Sequence, residues 1–422
     1  METYAQVLLI AIPSFMVLMA IEALYGWAIK KQTLRSFDTI ASISSGITNL
    51  LKDILGLTLV IVGYTWMQEH IAIIHIEATW LVYVISFVLI DLAGYTKHYL
   101  SHHINYFWNE HVVHHSSEEF NLACALRQTI SNFFSLSAFL LIPAALLGMP
   151  PKVIATIGPL HLFLQFWYHT RHIPKLGWLE YLIVTPSQHR VHHAINKIYL
   201  DKNLGQIFPW WDRLFGTFQE ELDEEPCVYG IKKPAKTWNP IIINFQHLWI
   251  LIKDAWRTKD WNAKFTIWFR PTGWRPTDVA IKYPIEVIDN PEDQVKYDTP
   301  ASALFHIWSW IQLGITLALL LFMLINFVAI GFPMLFLYGA FIAIHVFSYT
   351  SLMDLNRSAI WIELIKCAAA LYWIWSSGDW FGLSHYIPYG NIIISVYFIL
   401  SLIMAAFLSS REIKKPSLTP AA

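Results

Sequence analysis

Charged residues are scarce in this chain of 422 residues, where they make up only 14% of the sequence. A typical soluble protein carries about a quarter. Apolar residues account for 55%, and the mean hydropathy is +0.43. The composition excludes an ordinary water-soluble enzyme and indicates a polytopic membrane protein. The aromatic share of 15% agrees with this, because Trp and Tyr rings settle at the headgroup level of a bilayer.

The sequence also has few cysteines and no excess of charge of either sign. Cys124, Cys227 and Cys367 are far apart and form no C-x-x-C pair, so neither a disulfide framework nor a thiolate metal site is indicated. The 29 basic and 30 acidic residues leave a net charge of -1. No nucleic-acid partner is therefore expected.

Long apolar stretches predict an all-α integral membrane protein with about nine transmembrane helices, since a bilayer core about 30 Å thick needs roughly 20 apolar residues per helix. Five predicted spans cover residues 7–29, 43–66, 80–100, 130–147 and 153–168. Four more are predicted between residue 305 and the end of the chain, separated by breaks at residues 331–333, 354–357 and 378–390.

These spans predict four parts: N-terminal transmembrane helices in residues 1–79, a catalytic domain in 80–220, a cytoplasmic cap in 221–300 and C-terminal transmembrane helices in 301–422. Basic residues after the first and last spans indicate the cytoplasmic side by the positive-inside rule: Lys30, Lys31, Arg35, Arg411, Lys414 and Lys415. Nine crossings satisfy both groups. They place the end of the third span and the polar stretch 169–299 in the cytoplasm.

Histidines are concentrated in one region, with 12 of the 18 between His98 and His193. His98 and His102 are four residues apart and share one face of a helix. The pattern H-x-x-H-H occurs at residues 111–115 and again at 189–193, and each copy also places its histidines on one helical face. A single His169 follows the fifth span. Such spacing predicts metal binding by His98, His102, His111, His114, His115, His169, His189, His192 and His193.

This number of imidazoles exceeds the four ligands of a zinc site and indicates two metal ions. The sequence has no H-E-x-x-H that would supply a metalloprotease base. Imidazole alone does not choose among zinc, copper, iron and nickel. A redox metal at the membrane boundary would suit oxygen chemistry on a lipid chain, because an unactivated C–H bond needs a strong oxidant.

Other polar residues have simpler interpretations. Asp91 lies seven residues before His98, and we predict that it orients His98 or His102 by accepting a ring N–H. Six histidines are predicted to be structural: His70, His75, His161, His306, His345 and His385. His247 could line an entrance from the cap, and the roles of His103 and His172 stay open. A proton pathway is the alternative reason for so many imidazoles, although it would not need the same triplet twice.

The three histidine boxes, at residues 98–102, 111–115 and 189–193, resemble those of the fatty acid hydroxylase and sterol desaturase superfamily of membrane di-iron oxygenases. Intervening stretches resemble the branch of that superfamily that cleaves alkylglycerols. They are residues 114–122, 125–128, 165–170, 185–193, 201–203 and 211–218.

The resemblance implies that the nine histidines bind two irons, which split O2 and insert one oxygen atom into a lipid C–H bond near the headgroup. For an ether lipid, the product would be a hemiacetal that collapses to an aldehyde. Asp91, Glu119 and Asn203 are the predicted catalytic side chains. The electron donor would be tetrahydrobiopterin or a redox protein, since His103 stands where the alkylglycerol enzymes carry a glutamate.

Two other kinds of function remain open at the level of sequence. The same boxes would suit a hydroxylase or desaturase of fatty acyl, sphingolipid, sterol or carotenoid chains. Outside the enzymes, a metal transporter could use the histidines as a transit site. A transporter would be expected to carry polar residues in several spans, whereas the C-terminal spans contain few of them.

Overall fold

The computed structural model describes residues 2–132 and 140–413, without the side chains of residues 2–5 and 57–62. Within that part of the chain, helices and loops account for all the structure apart from an isolated antiparallel bridge between Ala194 and Tyr229. The predicted all-α class is confirmed.

The helices are numbered here in chain order. They are α1 (Glu2–Ala28), α2 (Ser36–Ile71), α3 (Trp80–His103), α4 (Asn105–His115), α5 (Ile142–Leu146), α6 (Pro151–Phe163), α7 (Pro186–His192), α8 (Trp210–Phe215), α9 (Pro240–Arg257), α10 (Trp261–Thr266), α11 (Thr277–Lys282), α12 (Ala303–Ile325), α13 (Phe327–Ile330), α14 (Met334–Met353), α15 (Ala359–Ser377), α16 (Leu383–Tyr386) and α17 (Gly390–Glu412).

Six of the described helices are long and apolar enough to cross a membrane, and they confirm a multi-span membrane protein. They are α1 (over Gln6–Ala28), α3, α12, α14, α15 and α17. The count of nine spans is not confirmed, and the side of the membrane on which the histidines lie stays a prediction.

The other three predicted spans do not correspond to any of these six helices. The second falls within α2, a helix of 36 residues that is not among the six candidates, and Asn49, Lys52 and Asp53 interrupt its apolar run. The fourth includes residues 133–139, which lie outside the described residues. The fifth corresponds to α6, which has 13 residues and is too short to cross the bilayer core.

The main apolar core lies between α2 and the C-terminal helices. Ile40, Leu320, Tyr338 and Phe398 are at most 1% exposed there, and this core also includes residues of α15. The core holds α2 against the C-terminal bundle, while α4 packs against both α3 and α9. The histidine boxes therefore lie outside the main core, on α3, α4 and α7.

Local sequence fixes the start of the helix that carries the third histidine box. Thr185 and Gln188 form a capping box at the start of α7, and Pro186 occupies the first turn. Proline suits this position because its missing N–H has no partner there in any helix. Helix α7 therefore begins at a defined residue, which sets the rotation of His189, His192 and His193.

Candidate metal centre

Four segments bring the nine predicted histidines together. The end of α3 provides His98 and His102, and α4 provides all of the second box. The loop after α6 provides His169, and the end of α7 provides the third box. All nine side chains belong to one of two groups in which one nitrogen per residue lies within 4.8 Å of the others.

We call these groups cluster A and cluster B. Cluster A consists of His98, His102, His111, His115 and His192, and cluster B of His114, His169, His189 and His193. Each H-x-x-H-H triplet is divided between the two clusters. Its first and last histidines, one helical turn apart, belong to one cluster, and the histidine between them belongs to the other.

Hydrogen bonds at Nδ1 orient three of the five rings of cluster A. His98 Nδ1 lies 2.7 Å from the Leu204 carbonyl oxygen, and His192 Nδ1 lies 3.0 Å from that of Lys202. His102 Nδ1 lies 3.0 Å from Asp201 Oδ1. Carbonyl oxygens only accept hydrogen bonds, so Nδ1 of His98 and His192 carries the proton, and Nε2 of each presents a lone pair.

Two rings of cluster B have the same arrangement. His114 Nδ1 donates to the Arg127 carbonyl oxygen at 3.2 Å, and His169 Nδ1 donates to that of Gln165 at 3.0 Å. The Nε2 atoms of these two rings lie 3.4 Å apart. With both protons on Nδ1, the two Nε2 lone pairs face each other and cannot form a hydrogen bond. A cation between them would satisfy both.

The distances between Nε2 atoms fit metal coordination. Two nitrogens at 2.0–2.1 Å from an ion are about 3.0 Å apart at right angles and about 3.4 Å apart in a tetrahedron. His111 Nε2 lies 2.8 Å from His98 Nε2 and 2.9 Å from His115 Nε2. In cluster B, His189 Nε2 lies 2.9 Å from His169 Nε2 and 3.0 Å from His193 Nε2.

Two buried nitrogens provide a further test. His102 Nε2 and His192 Nε2 have no hydrogen-bond partner among the described residues, although each ring is anchored through Nδ1. An unpaired buried polar atom costs free energy, and metal coordination removes that cost. The donor set therefore fits two metal ions, one in each cluster.

Burial favours the neutral form of the cluster histidines that lie outside the membrane spans. It lowers the pKa of His114 to about 4. Burial first, and then the neighbouring imidazoles, hold the pKa of His111, His115 and His193 well below the usual value. Because a metal binds the neutral ring, the rings are in the form that coordination requires.

One loop orients three rings of cluster A. Asp201, Lys202 and Leu204 supply the acceptors for His102, His192 and His98. Asp201 has a φ of 57°, a left-handed conformation that aspartate tolerates better than most residues. Asp212 is 1% exposed, and its carboxylate accepts the N–H groups of Leu204 and Gly205, both at 2.7 Å. This carboxylate holds the loop in place.

Asp91 does not contact His98 or His102, so the predicted contact is wrong. Its carboxylate accepts from the backbone N–H of Ile207 at 2.9 Å and of Phe208 at 3.2 Å, and from Trp211 Nε1 at 2.8 Å. His161 Nε2 lies 2.7 Å away. Seven residues do return to the same helical face, but Asp91 and His98 are two turns, or about 10 Å, apart along the axis. Asp91 anchors the chain that follows the orienting loop.

Glu119 contacts cations instead of histidines. Its carboxylate lies 3.1 Å from Arg171 Nη2, 2.6 Å from Lys296 Nζ and 3.8 Å from Arg35 Nε. Asn203 lies in the orienting loop, where its side chain donates to the Gln188 and Gln219 carbonyl oxygens. The structure places neither side chain in a cluster, and their catalytic roles stay predictions.

The other histidines lie outside both clusters. His103 stacks on Tyr99 with ring centroids 3.9 Å apart, and His172 Nε2 lies 3.4 Å from Thr33 Oγ1. His247 Nε2 donates to the Asn105 carbonyl oxygen at 3.0 Å. The six histidines predicted to be structural are likewise absent from both clusters.

Sequence reasoning missed Asp201 and Asp212. Both lie in stretches that carried the family resemblance, at residues 201–203 and 211–218, but no spacing rule linked them to the boxes. Asp201 precedes Lys202 and Asn203 in a short polar run after Leu200. Such a run indicates a turn and not an orienting carboxylate. Residue contacts across about 100 positions of chain were needed to find it.

The fold and the paired clusters define a membrane-bound lipid hydroxylase of the fatty acid hydroxylase type, and sequence comparison agrees. The sequence model of the fatty acid hydroxylase family matches residues 83–217. The chain is 32% identical to alkylglycerol monooxygenase of Homo sapiens over 360 residues, which cover 85% of this chain and 80% of the relative.

A second alkylglycerol monooxygenase, from Xenopus tropicalis, is 30% identical over 361 residues, with the same coverage of 85% and 80%. An ornithine lipid hydroxylase of Rhizobium tropici matches at 31% identity over 136 residues, or 32% of this chain and 41% of the relative. No solved structure matches. The chain belongs to the alkylglycerol monooxygenase family.

Proposed function

We propose that the protein is an O2-dependent, non-heme di-iron monooxygenase that oxidises the O-alkyl bond of ether lipids. The two clusters of converging Nε2 atoms carry this proposal, since they provide nine neutral imidazoles for two ions. Iron is the metal used by the superfamily that the histidine boxes resemble. The relatives named as alkylglycerol monooxygenases support the substrate class.

The proposed reaction hydroxylates the chain carbon beside the ether oxygen. Bound iron would supply the redox chemistry that activates O2. One oxygen atom enters the C–H bond, and the other leaves as water with two electrons and two protons from a donor. The resulting hemiacetal collapses to a fatty aldehyde and glycerol. The donor would be a reduced pterin such as tetrahydrobiopterin, or a redox protein.

The protein's own residues prepare the metal centre for this chemistry. The carbonyl oxygens of Leu204, Lys202 and Arg127 hold their histidines in the tautomer that presents Nε2. Asp201 accepts from His102 and makes that ring a stronger donor to a metal. Burial of the rings excludes water from the ligands. These interactions keep the ligands in position before any ion binds.

We further propose that the centre faces the cytoplasm. Lys30, Lys31 and Arg35 follow the first candidate span, and the positive-inside rule assigns such a group to the cytoplasmic side. Arg35 Nη2 lies 3.8 Å from the Glu118 carboxylate, only three residues after the second histidine box. The basic loop and the metal centre therefore lie on one side of the membrane. The four-part division of the chain stays a prediction.

The test combines metal content with product analysis. Purified protein loaded with iron should hold about two ions per chain, because each cluster offers an open imidazole site. It should release aldehyde from a labelled alkylglycerol, with either tetrahydrobiopterin or a ferredoxin and its reductase as the donor.

Two outcomes would contradict part or all of this proposal. Product from a labelled acyl lipid or sterol, and none from the alkylglycerol, would keep the oxygenase chemistry but reject ether lipids. Metal binding with no oxidation of any lipid, together with metal uptake by protein-containing vesicles, would favour the transporter.

A further inference from the structure

The predicted cytoplasmic cap exposes large aromatic side chains along a short segment. Trp249 and Trp256 on α9 are 57% and 85% exposed, and Trp261 and Phe265 on α10 are 71% and 68% exposed. Phe269, in the 3₁₀ turn that follows, is 72% exposed. We call these five side chains the aromatic face. A water-facing surface seldom shows so many large rings in 21 consecutive residues, and such patches mark contact surfaces.

Basic residues are interleaved with the aromatic face. Residues 245–282 contain seven lysines and arginines and three aspartates, which gives a net charge of +4. Arg257, Lys259, Arg270 and Lys282 are exposed. Aromatic rings beside free cations are typical of segments that lie at the surface of anionic membranes.

The three aspartates of this segment are occupied by internal contacts. Asp254 accepts from Arg275 at 2.5 and 3.0 Å. Asp260 caps α10 by accepting from the N–H of Asn262 at 2.8 Å. Asp278 accepts from Thr258 and from the N–H of Lys259, both at 2.9 Å. The acidic groups therefore stabilise the segment itself. Among the described residues, its exposed cations form no ion pair with an acidic side chain, although three of them lie over aromatic rings.

The segment is attached to the end of a membrane span. The Thr272 N–H donates to the carbonyl oxygen of His103, the last residue of α3, at 3.2 Å. The Asn105 N–H donates to the Arg270 carbonyl oxygen at 3.0 Å. Residues 270–272 therefore lie where α3 leaves the bilayer. Phe269, the last residue of the aromatic face, is directly followed by these residues and therefore lies close to the headgroup layer. A cap that stood away from the membrane in water would not have this position.

The same segment forms hydrogen bonds with α4, the helix that carries the second histidine box. The Asn105 side chain donates to the carbonyl oxygens of Ile267 and Trp274, both at 3.0 Å. The Leu248 N–H donates to Asn109 Oδ1 at 3.1 Å, two residues before His111. A change in the position of the segment would therefore also move α4.

We propose that the aromatic face binds the headgroup layer of an anionic lipid leaflet and so fixes the depth of α4. The rings occupy the interface, where Trp and Phe are most stable, and the exposed cations contact anionic headgroups. This contact would hold the second histidine box at the level where a lipid's first chain carbons lie. The membrane contact depends on the surface alone, and only its consequence for the histidine box rests on the proposed function.

The test measures how deeply the face lies in a membrane. Full-length protein in nanodiscs would carry a nitroxide label at Trp256→Cys or Phe265→Cys, and at Glu292→Cys as a control, because Glu292 is exposed outside this segment. Labelled protein without an added cysteine corrects for Cys227, which is partly buried. Accessibility to dissolved oxygen and to a water-soluble nickel chelate is measured in phosphatidylcholine discs with and without phosphatidylglycerol.

The proposal expects labels at positions 256 and 265 to be oxygen-accessible and shielded from nickel, with greater shielding when phosphatidylglycerol is present. Substituting both Arg257→Gln and Lys259→Gln should reduce the ratio of shielded to exposed label roughly tenfold or more in anionic discs, because each cation contributes about fivefold to binding. The control label should stay exposed to nickel throughout.

Three results would overturn the inference. Nickel accessibility at positions 256 and 265 equal to that of the control would mean that water covers the face. Shielding that ignores phosphatidylglycerol and both substitutions would refute recognition of anionic lipid. Shielding accompanied by spin–spin broadening that grows with the number of copies per disc would assign the face to a second copy of the chain.

Discussion

Replacing Asp201 by asparagine should weaken metal binding at cluster A and leave the fold intact. Asp201 Oδ1 accepts the Nδ1 proton of His102 at 3.0 Å, and 48% of the Asp201 side chain is exposed. The substitution therefore disturbs little packing. Asparagine has the same shape and can still offer an oxygen to His102. It lacks the negative charge that makes the ring a stronger metal ligand.

The size of the effect follows from that lost charge. A hydrogen bond to a charged group contributes about 1.5–3 kcal/mol, and one between neutral groups about 0.5–1.5 kcal/mol. The two ranges differ by about 1–1.5 kcal/mol, which corresponds to roughly a five- to tenfold loss of metal affinity. Asp201→Ala removes the hydrogen bond itself, and its loss should approach 100-fold, the upper end of the effect for such outer carboxylates.

The assay is competition between the full-length protein and a chelator of known affinity, with metal content measured at each step. Only one of the two ions should become easier to remove, because Asp201 contacts cluster A alone. Glu220→Gln is the matched control, since that carboxylate is exposed and pairs with Lys175. Unchanged affinity in both Asp201 variants, or equal loss of both ions, would refute the assignment of Asp201.

Three further predictions concern the metal centre and residues outside it. Asp91→Asn should lower the thermal unfolding temperature, because the new amide nitrogen would face buried N–H donors. Each group left unpaired costs about 1–3 kcal/mol. An unchanged unfolding temperature together with reduced metal affinity would instead favour a direct role of Asp91 in metal binding. His114→Ala and His192→Ala should each reduce metal content by about one ion per chain, because each removes a ligand from one cluster. His385 is exposed, and His385→Ala should leave metal content unchanged. Equal loss of metal in all three variants would contradict the assignment of ligands to two clusters. Burial lowers the pKa of His247 to about 4, below the usual value of about 6.5, so the unfolded chain binds this proton more readily and stability falls as pH drops from 6.5 towards 4. The loss is about 2 kcal/mol at pH 5, and thermal unfolding of His247→Gln should show a shallower pH dependence than the parent between pH 5 and 8; identical slopes would contradict it.

The spacing of histidines was sufficient to predict which residues would meet. Four-residue and three-residue separations on a helix fix which side chains share a face, and the structure brings all nine into two clusters. Spacing does not determine which cluster each ring joins. That depends on how α4 and α7 are rotated against each other, and packing of distant segments sets this rotation.

Asp91 and Asp201 show where sequence reasoning stops. Asp91 shares a helix with His98, so periodicity connected them, yet Asp91 bonds to the backbone of Ile207 and Phe208. Asp201 is about 100 residues from His102 in sequence, lies in a loop where it has a left-handed conformation, and contacts His102 through tertiary packing. Local periodicity cannot predict such contacts. Hydropathy predicted nine spans from apolar content alone, and six of them correspond to described helices that are long enough to cross a membrane.

Each H-x-x-H-H triplet contributes histidines to both clusters. His115 and His193, the last members of the two triplets, belong to different clusters and stack with ring centroids 4.4 Å apart. His114 reaches from α4 into cluster B, and His192 reaches from α7 into cluster A. Any shift of α4 along α7 therefore changes the ligand set of both clusters together. The exchange therefore ties both clusters to the same two helices.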